Sequence, residues 1–466
     1  MRHINLKVRS VFDLVENRKR SQFSGKLGFV LAAAGSAVGL GNIWRFPYYA
    51  AKYGGGAFIL VYIILALTFG YTLMTTEIAI GRKTRLSPIG AYKKLNSKSA
   101  FIGVFAVVVA AIITPYYSVI GGWVIKYLAV FATGGMTEAA TDTFFSNYIS
   151  TSAEPIIWMG LFILIGAVIL FGGVKGGIER ASKILMPVLV LLTIFLAGYS
   201  FTLPGALDGF KYLLIPDFSR FSIMGVVAAM GQMFYSMSLG MAIMVTYGSY
   251  MKKDENIEKC VGQIEIFDTG IAILAAMMIV PAVFAFSGGD PSALNAGPGL
   301  MFITLPKVFA SMPMGGAIGA IFFALVLFAA LTSVISLMEA IISAVCDQFK
   351  LPRKNAVFMV ALLCFVVGMA PSLGFGLWDS VQIFGLQILD FMDFASNYIL
   401  MPLGSCLTCV LVGWIIKPDF VLSELKSSGE FKREKLYIFM LKYIAPVFTI
   451  AIMIAYILDT FKIIKL

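Results

Sequence analysis

Long apolar stretches alternate with short polar ones along the whole chain. Eleven of them stand near residues 27–49, 57–80, 101–131, 156–172, 181–203, 221–250, 261–286, 315–345, 355–372, 382–415 and 437–460. Most reach the roughly 20 residues a helix needs to cross a bilayer. The pattern predicts an all-α polytopic membrane protein with eleven transmembrane helices. Two segments are interrupted. The first carries GSAVGLGNIWRFP over Gly35 to Pro47, and the sixth carries SMSLGMA over Ser236 to Ala242. A spanning helix must satisfy its own backbone, so a break at membrane depth survives only where it lines a protein cavity or a ligand.

The two breaks lie five helices apart. Gly-interrupted helices at matching places in two halves point to a transporter's binding site and to inverted repeats. The division this predicts is a cytoplasmic N-terminal arm over 1–25, a first five-helix repeat over 26–203, an outer connection over 204–220, a second repeat over 221–415, and a cytoplasmic loop with the eleventh helix over 416–466. The competing reading makes Gly35, Gly39 and Gly41 a small-residue packing face. It leaves Asn42 and Arg45 unexplained, and polar groups inside a membrane are costly enough to need a reason.

Composition agrees with the pattern: 59% of residues are hydrophobic and 13% charged, against roughly 25% charged in soluble domains. The net charge of +11 is gathered in alternate connections rather than spread. The first 26 residues hold seven Lys or Arg, as the sequence shows, whereas 132–155 and 373–381 hold none. That asymmetry places the N-terminus in the cytoplasm, and an odd helix count places the C-terminus outside. The excess charge is therefore read as membrane topology, not as nucleic-acid binding. Residues 1–25 lack the short apolar core of a cleavable signal; the arm, with its stretch VRSVFDLVENRKR, is expected to be solvated or to lie on the membrane surface. Cys260, Cys346, Cys364, Cys406 and Cys409 fall in helices or at their ends, so no disulfide is expected. The single histidine, His3, lies in the arm, which argues against His-based catalysis or a His-rich metal site.

Five runs carry a resemblance. SGKLGFVLAAAGSAVGLGNIWRFPYYAAKYGGGAF is similar to the first-helix signature of the neurotransmitter:sodium symporter family, in its bacterial amino-acid:sodium branch. GQMFYSMSLGMAIMVTYGSY, LFAALTSVISLMEAI, GGVKGGIER and LDFMDF resemble its sixth helix, eighth helix, fifth-helix start and tenth helix. The order matches over nearly the whole chain. The resemblance implies sodium-coupled symport by alternating access, with two sodium ions, no organic cofactor and no enzymatic activity.

It also implies residue roles. The second sodium site would use the carbonyls of Gly35, Val38 and Ala329 and the hydroxyls of Thr332 and Ser333. These are neutral oxygens suited to a monovalent ion, whereas calcium recruits carboxylates. On the residues alone, two adjacent helical hydroxyls would bond back to their own backbone. The first site would use the Ala37 carbonyl, Asn42, Ser236 and Asp268, where many relatives carry Asn. Animal members bind chloride through residues matching Tyr62, Gln232, Ser236 and a serine that is Ala272 here. With that serine missing and a carboxylate present, the expectation is that Asp268 supplies the negative charge and transport is chloride-independent.

The substrate would lie between the breaks. Amides at Leu40 and Gly41 and the Tyr117 hydroxyl would receive a carboxylate, which also meets the first sodium beside Ala37. Carbonyls near Tyr235 and Ser238 would receive the amine. Ser36, Ile113, Tyr117, Tyr235, Met241, Ser333 and Leu337 would meet the side chain. Monoamine carriers of this family place Asp where Gly39 stands, so the substrate here is expected to bring its own carboxylate. An apolar pocket without a full charge then favours a neutral hydrophobic or aromatic amino acid. Gating pairs are expected between Arg45 and Asp393 above the substrate and between Arg20 and Asp347 at the cytoplasmic exit, with Tyr250 and Glu179 bracing the latter. The location would be the cell (inner) membrane, and the partners a small amino acid, sodium and lipid, without nucleic acid. The rival readings are a transport-dead, substrate-sensing homologue and a proton-coupled carrier of the same fold.

Overall fold

The computed structural model describes residues 20–290, 293–294 and 297–464. The arm expected over 1–25 therefore lies outside the described residues up to position 19, His3 included. Among the described residues, nine helices are long and apolar enough to cross a membrane, and one bent pair makes a tenth. In chain order they are the pair α1a (Lys26–Ala37) and α1b (Gly41–Lys52), then α2 (Gly56–Thr84), α3 (Ser97–Ala132), α4 (Glu154–Phe171) and α5 (Val174–Ser200). After the sixth come α7 (Ile257–Ser287), α8 (Gly315–Phe349), α9 (Arg353–Leu373), α10 (Ile388–Ile415) and α11 (Glu434–Thr460). The sixth segment consists of α6a (Ile223–Ser236) and α6b (Ile243–Tyr250), each too short to span alone. All follow the apolar segments of the sequence within a few residues.

Packing explains why the breaks end up buried. Helix α8 runs along α3, α4 and α9 pack on α3, α6b lies on α2, and α1a and α1b lie against α7. Small residues allow the closest approaches: a Cβ on Gly248 would sit 2.3 Å from the Ile78 carbonyl of α2. The perimeter is apolar, with Ile157 and Val168 on α4, Leu191 on α5 and Leu362 on α9 all exposed. Outward apolar side chains that would be a liability in water are what a lipid-facing surface requires.

Candidate functional site

Helix α1a ends at Ala37, and Val38 is extended at φ −72°, ψ 102°. The chain bends by 54° between α1a and α1b. The break is held by Asn42, whose Oδ1 accepts the Gly39 N–H at 3.0 Å. In the sixth segment, Ser238, Gly240 and Ala242 have φ of 55°, 73° and 66°. Two of these three are not glycine, so this backbone is held against its preference. Glu77 of α2 supplies one restraint, its Oε1 accepting the Gly240 N–H at 2.8 Å. The two breaks also meet directly, with Ser238 Oγ donating to the Ser36 carbonyl at 2.9 Å.

A cavity of about 370 Å³ lies between them. All eleven residues expected to meet substrate line it: Ser36, Ala37, Leu40, Gly41, Ile113, Tyr117, Tyr235, Ser238, Met241, Ser333 and Leu337. Its wall is mainly apolar, with hydroxyls and broken backbone as the polar exceptions. The Tyr117 hydroxyl is buried without a hydrogen-bond partner. An unpaired buried donor is costly unless something arrives to use it.

Beside the cavity sits Asp268, fully buried on α7. Its Oδ1 accepts from Asn42 Nδ2 at 2.8 Å and from Ser236 Oγ at 2.7 Å, and its Oδ2 accepts from Tyr62 at 3.2 Å. Every one of these donors is neutral. Among the described residues no Lys or Arg forms an ion pair with it. Of the oxygens expected at the second sodium site, Ser333 Oγ is 3.4 Å from the Val38 carbonyl across the two helices, and Thr332 Oγ1 is 3.0 Å from the Ala329 carbonyl of its own helix. Gly35 is pressed on the same residue, a Cβ there falling 3.1 Å from Thr332 Cβ. Thr332 bonds back to its own helix through the Phe328 carbonyl as well, at 3.0 Å.

The two pairs expected to act as gates differ. Arg20 Nη1 donates to both Asp347 oxygens at 2.8 Å, while its other nitrogens reach Ser249 and Ser343 at 3.1 and 2.7 Å. The Tyr250 ring lies 5.0 Å under the guanidinium. Burial alone would lower the Arg20 guanidinium, but Tyr250 and Asp347 outweigh it and hold it above the ordinary arginine value. On the opposite side of the cavity, Arg45 and Asp393 form no ion pair. Arg45 instead donates to the Tyr398 hydroxyl and lies 5.3 and 5.4 Å from the Tyr235 and Tyr398 ring centres. Asp393 is already occupied, accepting from Tyr116 at 3.0 Å and Asn397 at 2.6 Å.

Tyr250 joins the Arg20 closure to a second ion pair, whereas Glu179 sits in a network of its own. Tyr250 donates to the buried Glu339 at 2.7 Å, which is paired with Arg353 at 2.6 Å. Glu179 accepts the Ser24 amide at 2.8 Å, and also the Ser24 hydroxyl, next to Lys183. Glu77, Glu339 and Tyr398 were not among the sequence-derived candidates. A lone carboxylate inside an apolar run, as in TTEIAIG and SLMEAI, was the available signal for the first two. Nothing local marks Tyr398.

The profile of the sodium:neurotransmitter symporter family matches residues 20–147 and 145–464. The chain is 37% identical over 443 residues to the sodium-dependent transporter YhdH of Bacillus subtilis, covering 93% of this chain and 96% of that one. It is 35% identical to a sodium-dependent transporter of Haemophilus influenzae, covering 94% and 98%. Among solved structures, MhsT in complex with L-phenylalanine superimposes with a TM-score of 0.84 at 38% identity, covering 94% of this chain and 100% of that one. The chain belongs to the sodium:neurotransmitter symporter family, a family of transporters and not of enzymes.

Proposed function

We propose that this protein carries a neutral hydrophobic or aromatic amino acid across the cell membrane together with two sodium ions, without requiring chloride. The observation that carries the reading is Asp268: a fully buried carboxylate held only by neutral donors, at the edge of an apolar cavity between two broken helices. A buried charge of this kind is costly unless an opposite charge joins it, and sodium is the cation this family transports with its substrate.

In this reading one sodium is held by Asp268, Asn42, Ser236 and the Ala37 carbonyl, and also by the substrate carboxylate. The second is held by Thr332, Ser333 and the carbonyls of Gly35, Val38 and Ala329. The substrate carboxylate takes the Tyr117 hydroxyl, which has no protein partner. Gly39 leaves no carboxylate for a lone amine, so the substrate supplies its own. The apolar wall formed by Ile113, Met241 and Leu337 receives its side chain, and the L-phenylalanine held by MhsT agrees with that class. Because Asp268 supplies the anion, chloride has no charge left to balance.

Transport then alternates between the Arg20–Asp347 closure, on the cytoplasmic side with the N-terminus, and the Arg45–Tyr398 closure outside. The regions 26–203 and 221–415 act as the paired repeats that rock around the site. Two sodium ions with a zwitterion move two charges, each worth about 2.3 kcal/mol per 100 mV. That sustains an accumulation on the order of a thousandfold. The test is uptake of radiolabelled phenylalanine, leucine and tryptophan into proteoliposomes. Sodium replaced by choline should abolish it, and chloride replaced by gluconate should leave it unchanged. Uptake that survives in choline, or collapses in gluconate, refutes the corresponding half.

A further inference from the structure

Behind the sixth-segment break lies a second cavity, of about 220 Å³, bounded by α2, α3, α6b and α10. Its charged lining residue is Glu77, 3% exposed. One carboxylate oxygen holds the Gly240 amide at 2.8 Å, and the other, Oε2, is buried with no hydrogen-bond partner. Among the described residues no cationic side chain pairs with it.

The remaining polar lining groups do not help the carboxylate. The Tyr92 hydroxyl stands 2.8 Å from Thr408 Oγ1, and Thr408 gives its own proton to the Gly404 carbonyl at 3.0 Å. Tyr92 must then donate to Thr408, so neither hydroxyl has a proton to spare for Glu77. With Glu77 ionised, the site is a carboxylate oxygen and hydroxyl lone pairs, acceptors only, closed off by Ala106 and Ile102. A trapped water would satisfy hydrogen bonds but leave an ionised carboxylate uncompensated, so Glu77 either carries a proton or meets a cation, and counting bound ions separates the two. A divalent ion would recruit several carboxylates, and there is one.

We infer that this cavity binds a small monovalent cation, held by Glu77 and Tyr92 on the far side of the sixth-segment break from the substrate cavity. The consequence is mechanical as well as electrostatic. The same carboxylate grips Gly240 at φ 73°, and Ser238 and Met241 on either side line the substrate cavity. An ion on Oε2 fixes the carboxylate, and through it the curve of backbone that faces the substrate. The inference does not depend on which amino acid is carried, nor on the ion sites assigned at Asp268 and Thr332.

The test counts ions on purified full-length protein by equilibrium binding of 22Na+ and, separately, 86Rb+ as a potassium substitute. Glu77→Gln removes the charge yet keeps an oxygen for the Gly240 amide. It should bind one fewer ion per protein than the parent, and the isotope affected identifies the ion. Tyr92→Phe keeps the carboxylate and should weaken the same ion about tenfold. Equal counts for both isotopes in Glu77→Gln overturn the inference. So does an unchanged affinity in Tyr92→Phe, which decides the matter should the Gln variant not fold.

Discussion

The Arg20–Asp347 closure can be loosened without removing a side chain. Asp347→Asn keeps the shape but only one acceptor oxygen: in place of Oδ2 it retains weaker bonds from Arg20 and the Ser87 amide, while the Arg20 bond to Oδ1 is lost, all three being 2.8 Å in the parent. The two side chains are 17% and 28% exposed, between the fully solvated pairs worth below about 1 kcal/mol and the buried ones worth about 3–5 kcal/mol to break. A loss of about 2 kcal/mol follows, which raises the open population on that side about thirtyfold. The reporter is built in: the Phe23 amide donates to the Tyr250 carbonyl at 3.1 Å, so separation of the N-terminal segment frees it. Hydrogen–deuterium exchange of a peptide covering 22–31 should accelerate by that factor in the variant, because exchange from a locally opened state follows its population. The Ser87 amide should accelerate with it. Exchange at both places equal to the parent's would show that the pair does not hold this side shut.

Asp268→Ala leaves the buried Asn42 and Ser236 donors without their acceptor, so sodium-dependent substrate binding should weaken at least a hundredfold; a normal sodium titration would refute the counter-charge role. Gly39→Ala would put a Cβ 2.9 Å from Ser333 Oγ and 3.3 Å from the Tyr117 hydroxyl, so substrate affinity should fall about tenfold or more with the melting temperature little changed, as overpacking at a binding surface predicts. Tyr398→Phe removes the acceptor for Arg45 but keeps the ring, and a loss of about 1 kcal/mol should open that side about fivefold, whereas Asp393→Asn should move it less. Accessibility of an engineered cysteine above the cavity to a membrane-impermeant maleimide measures both, and the reverse ranking would sink the assignment.

The spans were legible because a bilayer makes the signal long: nine apolar runs became single long helices, and the first and sixth became broken pairs. Both breaks were legible too, because glycine and asparagine have no ordinary place inside such runs. The cavity lining followed from the family resemblance, down to Ile113 and Leu337, which no local pattern marks as special. What sequence could not give was the partner of each charge. Arg45 and Asp393 have opposite signs and suitable places, yet each found a closer neutral partner in Tyr398, Tyr116 or Asn397. Which of several polar groups wins depends on rotamers and distances of about an ångström, and a linear string carries neither. Glu179 illustrates the same limit, since its partner Ser24 is 155 positions away.

Tyr456 of α11 lies flat on Tyr398, with ring centres 4.2 Å apart and planes inclined by 2°. Helix α11 thereby props the aromatic shelf on which Arg45 rests. Shortening the chain ahead of that tyrosine would spare the residues proposed to hold ions and substrate while leaving the guanidinium's support unbacked. Tilting of this peripheral helix, by a neighbouring molecule or a thicker bilayer, is then a lever on the speed of opening toward one face, applied from a part of the protein that never touches the cargo.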